Sequence, residues 1–161
     1  MRTFYLALLF LVGWAIGAFA QIESGMIRIN PDFSFASVEG ITEADVQLLA
    51  AYSVIDHLEI GLSMSATKIE DVDTFGGVSA VTIFHLLPDS PVVPGVGAGF
   101  GSTFGMVENS LVADAFFNLE AFATKQWAFT VRAGYERWFN DWGDLDGFAV
   151  SFGVSTFLGK E

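Results

Sequence analysis

Arg28, Asp32, Glu59, Asp114, Glu120, Arg132 and Glu136 sit in stretches where apolar and polar residues alternate, each on the polar parity. Arginine presents a planar fork that donates two parallel hydrogen bonds to one carboxylate, so the chemistry open to this set is ion pairing. Asn30 and Asn118 share the same parity and add neutral donors and acceptors. Enclosed together, the two arginines and the carboxylates would satisfy one another, whereas a buried carboxylate with no cation is costly or takes up a proton. Two roles suit such a network: a structural plug, or a narrow gated ion path whose pairs exchange partners.

Other constellations are weaker. The chain has two histidines, His57 and His85, and no cysteine. His85 lies near Asp89 and Ser90, so a Ser-His-carboxylate triad can be imagined. Neighbouring turn residues rarely converge into one, however, and both histidines are read as interfacial residues. Asn140-Asp141-Trp142-Gly143-Asp144-Leu145-Asp146 is rich in oxygen ligands but lacks the spacing of a calcium loop. A solvated loop is expected there. No catalytic residue, metal site or cofactor follows from these patterns.

The elements that would position the charged set are strands. In Leu58–Lys68, Ile60, Leu62, Met64 and Ala66 alternate with Glu59, Gly61, Ser63, Ser65 and Thr67, the period-two signature of a sheet with one apolar face. Eight such stretches occur: Gly25–Val38, Asp45–Ile55, Leu58–Lys68, Gly77–Leu87, Val93–Phe104, Leu111–Ala123, Trp127–Phe139 and Gly147–Leu158. Pro31 interrupts the first and predicts a bulge or a lapse in pairing. The fourth alternates poorly, and its faces stay unassigned. The fifth places Gly95, Gly97, Gly99 and Gly101 on one face, as a crowded interior or tight curvature requires.

Composition decides which face meets water. The chain is 52% apolar, 15% aromatic and only 16% charged, against about 45–50% apolar and about 25% charged in soluble domains. No segment after residue 20 has the roughly 18 consecutive apolar residues of a spanning helix. An apolar exported chain without such a helix is expected to close its strands into a barrel, leaving no backbone group unpaired in lipid. Export is read from Arg2, the apolar run that follows it, and Ala18-Phe19-Ala20, an A-x-A cleavage pattern. Residues 1–20 are therefore expected to be a removed signal peptide and residues 21–161 one barrel domain. The net charge of −12 makes nucleic acid an unsuitable partner.

The connections add to this reading. Those after the second, fourth and sixth strands are short. Those after the first, third, fifth and seventh are expected to be longer and acidic, carrying Glu39, Glu43 and Asp45, then Glu70, Asp71 and Asp73, then Glu108, then Asp141, Asp144 and Asp146. Short turns at one end and long loops at the other mark an up-and-down outer-membrane barrel. Tyr52, Trp127, Tyr135, Trp138 and Trp142 fit aromatic girdles at the two interfaces.

Ala51-Tyr52-Ser53-Val54-Ile55-Asp56-His57-Leu58-Glu59-Ile60-Gly61-Leu62 resembles the recurring hairpin of small outer-membrane β-barrel proteins, the group of the OmpA transmembrane domain and the OmpX-like porin family. Pro94–Gly101 is similar to that group's Gly-rich fifth strand, and Ala133-Gly134-Tyr135-Glu136-Arg137 to its seventh. The resemblance implies an integral outer-membrane barrel inserted by the barrel-assembly machinery. It departs at the C-terminus, where Phe157 is followed by Leu158-Gly159-Lys160-Glu161 instead of ending the chain. A two-domain architecture with a peptidoglycan-binding domain is not expected at this length. Lipid-modifying barrels carry a His-x-Ser pattern that is absent here.

The fold expected is all-β: an eight-stranded antiparallel up-and-down transmembrane barrel in the outer membrane, a monomer surrounded by lipid and lipopolysaccharide. The function expected is structural or surface-interacting, not enzymatic, with a lumen plugged by the ion-pair network. The alternatives are a small porin-like channel or transporter and a soluble periplasmic ligand-binding barrel.

Overall fold

The computed structural model describes residues 22–38, 41–69, 74–105, 110–140 and 143–159. The proposed signal peptide, the acidic residues Glu39, Glu70, Asp71, Asp73, Glu108 and Asp141, Trp142, and the Lys160-Glu161 tail lie outside the described residues. Eight strands follow in order: β1 Ile27–Val38, β2 Ile41–Ile55, β3 Leu58–Ile69, β4 Phe75–His85, β5 Val92–Phe104, β6 Leu111–Phe122, β7 Trp127–Phe139 and β8 Leu145–Leu158. Each pairs antiparallel with its neighbours in sequence, and β1 pairs with β8 to close the barrel. Closure satisfies both edges of every strand, the one arrangement that leaves a sheet without an exposed ladder.

The alternation in sequence becomes inside and outside. Along β1, Arg28, Asn30 and Asp32 are buried while Ile27, Ile29, Phe33 and Phe35 are exposed. On β3, Leu62 and Met64 are each 60% exposed beside Ser63 at 2%. Phe100, Phe148 and Phe152 continue the apolar exterior around the barrel. Pro31 keeps its place opposite Leu48, so it causes no bulge toward β2. Toward β8, by contrast, pairing lapses between Ile29↔Thr156 and Asp32↔Gly153 with no change of register, the lapse expected of a residue with no N–H to donate. The register shift lies elsewhere, at Ser53/Ile55 between β2 and β3.

β4 explains its own illegibility. Its inward face carries Phe75, Val81, Ile83 and His85, and its outward face Gly76, Val78, Ala80, Thr82 and Phe84. Apolar residues thus stand on both sides. Val81 and Ile83 pack inside the barrel with Leu49, Ala51 and Phe116 as a small apolar core. A second such core, of Ile22, Met26, Val93, Phe122, Ala128 and Phe157, sits where the turns 56–57, 86–91 and 123–126 gather.

The connections at the other end span 39–40, 70–74, 105–110 and 140–144. The expected sorting into short turns and long loops is therefore corrected: 39–40 is as short as 56–57, and 86–91 is as long as 105–110. The reason is that β2 starts at Ile41 and carries Glu43 and Asp45 into the sheet, paired with Ala36 and Ser34. Glu43, assigned to a loop, is a strand residue, and Asp45, counted both in that loop and at the start of the second strand, lies well inside it. The ends are called below the turn end (56–57, 86–91, 123–126) and the loop end.

Candidate functional site in the barrel lumen

The interior is built in layers from the turn end upward. The lowest is apolar. Ile22 is 1% exposed, with its N–H donating to the Pro88 carbonyl, and Gly25 and Met26 bond the Ser53 backbone, so the segment before β1 folds across the turn end. The Phe122 and Phe157 rings lie 5.1 Å apart. Together these side chains stopper one mouth.

Above the stopper lies a polar layer centred on Arg28, which is fully buried. Its Nη1 lies 2.5 Å from Glu120 Oε1 and 3.1 Å from Glu59 Oε2. Its Nε donates to Ser155 Oγ at 3.1 Å. One guanidinium therefore ties β1 to β3, β6 and β8 across the lumen. The carboxylates have further partners: the Ser53 hydroxyl donates to Glu59 and the Asn118 amide to Glu120. His85 Nε2 lies 3.3 Å from Glu59 Oε2, with its side chain fully buried. Both nitrogens of His85 and the Oε2 of Glu120 are otherwise without a hydrogen-bond partner. Removal of two carboxylates and a guanidinium from water is tolerable only with close pairing of this kind.

The next layer is centred on Arg132, and it is looser. Nη1 donates to Gln47 Oε1 at 2.9 Å and lies 3.9 Å from Asp32 Oδ2. The guanidinium carbon stands 4.5 Å from the centre of the Phe116 ring, a cation–π approach. Nε and Nη2 have no hydrogen-bond partner. Asp32 also accepts from Asn30 and Ser151. Phe116 reaches this position because Gly97 across the β5–β6 ladder has no side chain: a Cβ there would run into the Phe116 ring. Gly99 makes the same room for the Asp114 carboxylate. Gly97 and Gly99 are thus recesses for β6 side chains, whereas a Cβ at Gly95 or Gly101 would meet β4.

Toward the loop end the lumen holds a cavity of about 100 Å³ adjoining one of about 80 Å³. Asp45, Asp114 and Glu136 line both. The Thr67 and Ser34 hydroxyls donate to Asp45, and Glu43 lies beyond it, 6% exposed. Phe75 and Trp138 meet edge to face at 5.5 Å on the upper cavity's wall.

The charged residues singled out in the sequence thus divide in two. Arg28, Glu59 and Glu120 meet directly; Asp32 stands near Arg132; Asp114 and Glu136 line the cavity and bond neither arginine among the described contacts. His85 is corrected from an interfacial residue to a lumen residue, because β4 continues inward parity to its last position. His57 is in the 56–57 turn, exposed, its ring stacked on Phe84. Glu43 and Asp45 were missed as lumen residues, although Glu43, Asp45, Gln47 and Leu49 keep a single parity. Trp138 is corrected from an interfacial girdle to the lumen, 6% exposed, again by parity with Arg132 and Glu136. Tyr52, Trp127 and Tyr135 do face outward, each 49% exposed.

No protein-family model matches the chain, and no curated protein matches it by sequence. Solved structures do. The neisserial surface protein A superimposes with a TM-score of 0.63 at 15% identity, over 81% of this chain and 95% of that one. The N-terminal β-barrel domain of Pseudomonas aeruginosa OprF gives 0.60 at 16%, over 84% and 98%. The outer membrane protein OprG from Pseudomonas aeruginosa gives 0.55 at 7%, over 88% and 99%. The chain has the fold of the small eight-stranded outer-membrane barrels. Identity this low carries the architecture and nothing finer.

The exterior of this outer-membrane-type barrel fits the same architecture. A wide apolar band is bounded at the turn end by exposed Asp56, Asp89, Lys125 and Gln126. At the loop end the exposed Arg137 pairs with Asp144 at 2.7 Å, and the Tyr135 hydroxyl donates to Asp146. Polar rims around a greasy waist are what a tilted-strand barrel presents to a bilayer.

Proposed function

We propose that the protein is an integral outer-membrane barrel whose role is structural or surface-interacting, with a lumen closed to bulk flow. The observation that carries this reading is the combination of an apolar exterior with a filled interior: Phe33 is 63% exposed on the strand where Arg28 is 0% exposed. A waist of exposed phenylalanine and leucine is unstable in water, which argues against a soluble periplasmic ligand-binding barrel. Inside, the Phe122–Phe157 stopper and the Arg28–Glu59–Glu120 layer stand in series across the lumen. An eight-stranded interior is just wide enough for side chains to fill it. No hydrolytic or transfer chemistry is assigned, since His57 is in a turn and His85 faces Glu59, away from any nucleophile pairing.

The surroundings follow from the same features. Closed pairing leaves no free strand edge, which favours a monomer in lipid and lipopolysaccharide after insertion by the assembly machinery. Acidic residues at the loop end would meet the anionic lipid through divalent cations; equal affinity for lipopolysaccharide vesicles with and without chelator would remove that contact. The test of the main reading is threefold. The protein should fractionate with outer membranes, migrate anomalously on gels until boiled, and give no steady single-channel conductance in planar bilayers. A stable conductance in the folded wild type would overturn the closed-lumen reading.

One observation favours a second reading, a small channel or transporter. The Arg132 layer is less well paired than the Arg28 layer and adjoins a cavity. If that layer gates a path, Arg132→Ala should raise conductance by a large factor over the wild type; an unchanged trace would dismiss it.

A further inference from the structure

The five residues before β1 cover the turn end from outside the sheet. Glu23, Ser24 and Gly25 are exposed, while Ile22 and Met26 on either side of them are buried. The Met26 N–H donates to the Glu23 carbonyl, and Gly25 stands third in this four-residue turn with φ +91°, a conformation that favours glycine. The turn folds the chain back so that Ile22 joins Met26, Val93, Phe122, Ala128 and Phe157 in the mouth. Its tip meets the 86–91 turn, which joins β4 to β5 on the far side of the closed sheet from β1. The segment therefore has an apolar underside and a polar top.

The base of the segment is fastened more firmly than its tip. At the base the Gly25 N–H donates to the Ser53 carbonyl at 2.8 Å, and the Ser53 N–H donates to the Met26 carbonyl at 2.9 Å. The Ser24 N–H donates to Asp56 Oδ1 at 2.9 Å. At the tip the Ile22 N–H reaches the Pro88 carbonyl only at 3.4 Å, beyond the ordinary N–H···O range of about 2.7–3.2 Å. Burial of the Ile22 side chain, which is 1% exposed, is what holds the tip down. Burying one isoleucine is worth a factor of about ten to a hundred in an opening equilibrium. Unfolding of a whole domain is opposed by a factor of about a thousand or more, so the tip opens locally while the rest stays folded.

We propose that residues 22–26 form a hinged lid over the turn-end mouth: Ile22 lifts on the exposed Glu23–Gly25 turn, and water enters the chamber beneath while the barrel stays folded. Under the lid, Phe157 stands against Arg28, whose guanidinium carbon is 5.7 Å from the ring centre. Opening therefore brings water up to the Arg28 layer, and the pairing of Arg28 with Glu59 and Glu120 still bars passage beyond it. The lid stands or falls separately from the closed-lumen reading, because conductance tests the ionic layer and chemical access from the turn end tests the lid.

The chain has no cysteine, so a single introduced thiol reports access to its own position. Val93→Cys places one under the lid, at the first buried position of β5. Leu49→Cys places one beyond the Arg28 layer, in the inner apolar core. Both native side chains are fully buried. Each refolded barrel in nonionic detergent is treated with iodoacetamide, and the modified fraction is followed by mass. The Val93→Cys thiol should react at least about tenfold faster than the Leu49→Cys thiol. Adding Ile22→Ser should speed the first by a further factor of about ten and leave the second unchanged. Adding Gly25→Ala, which forces a side chain into positive φ, should speed the first by about fivefold or more. Gel mobility before and after boiling verifies folding of each variant. If Ile22→Ser does not fold, Gly25→Ala and the comparison of the two single thiols still decide. Equal rates at the two thiols, or added substitutions that accelerate both thiols alike or neither, would each overturn the proposal.

Discussion

Arg28→Met asks most directly whether the ion-pair layer holds the barrel together. Methionine keeps most of the stem's length and its packing beside Phe157, whose ring centre is 5.7 Å from the guanidinium carbon. What it removes is the charge shared by Glu120 at 2.5 Å and Glu59 at 3.1 Å, both fully buried. Those carboxylates would keep only neutral or histidine partners: Ser53 and His85 for Glu59, Asn118 for Glu120. Removing one member of a buried pair costs about 3–5 kcal/mol, because an uncompensated charge stays behind. That is a large share of an ordinary folding stability of about 5–15 kcal/mol.

The assay is equilibrium urea unfolding of the refolded barrel in detergent micelles, followed by tryptophan fluorescence and by gel mobility without boiling. With a urea slope of about 1–3 kcal/mol per molar, the midpoint should fall by at least about 1 M. A companion variant separates charge from shape. Arg28→Met with Glu59→Gln and Glu120→Gln removes the stranded charges together, and buried pairs replaced by neutral groups of similar volume are often near neutral in stability. The triple variant should therefore recover most of the loss. A single variant within about 1 kcal/mol of wild type, or a triple variant no better than the single, would refute the assignment of this layer as a charge-balanced support.

Three further outcomes follow from the same geometry. Leu62→Arg on the apolar waist should destabilise the folded barrel in bilayers by about 2–4 kcal/mol if it sits near the midplane, whereas Ser63→Ala on the lumen face should change it little; both are read from urea midpoints in lipid vesicles. Phe157→Ala empties a fully buried position in the stopper and should cost about 3–5 kcal/mol, seen as a lower unfolding midpoint in the same assay. Gly99→Val places a side chain on the Asp114 carboxylate and should destabilise by about 1–3 kcal/mol, whereas Ala98→Val on the exposed neighbouring position should be nearly silent in heat-modifiability scans.

Strand placement was legible because period two survives wherever one face is greasy and the other is not. β7 reads the same in sequence and structure, Trp127–Phe139, since Thr130, Arg132 and Glu136 stand against Phe129, Val131 and Tyr135. β4 resists reading for the converse reason: Val81 and Ile83 fill the lumen while Ala80 and Thr82 face out, so polarity no longer marks the side. Glu43 escaped as a strand residue because acidity imitates loop composition, and Asp45, placed at the edge of the second strand, escaped as a lumen residue for the same reason; the ladder with β1 carries both into the sheet. Pairing between distant lumen residues could not be read at all. Arg28 and Glu120 are brought together by closure of the sheet, and nothing local in either strand specifies that meeting.

The two arginines then differ for a reason that lies in their surroundings and not in themselves. Arg28 sits where β3 and β6 each send in a carboxylate at the same level and Ser155 takes its Nε, so Nε and Nη1 are used and Nη2 alone lacks a partner. Arg132 sits one layer higher, where β4 and β6 contribute Val81 and Phe116 and the nearest carboxylate oxygen in an ion pair is 3.9 Å away. Apolar residues on β4 therefore do two things at once. They fill part of the lumen, and they withhold from Arg132 the partners that Arg28 has. A barrel that needed only stability could place a serine or a carboxylate at Val81. Val81→Asp, which places an acid on the cavity wall that Val81 shares with Arg132, should accordingly strengthen the upper layer and raise the urea midpoint. A lower midpoint would show that Arg132 is satisfied as it stands.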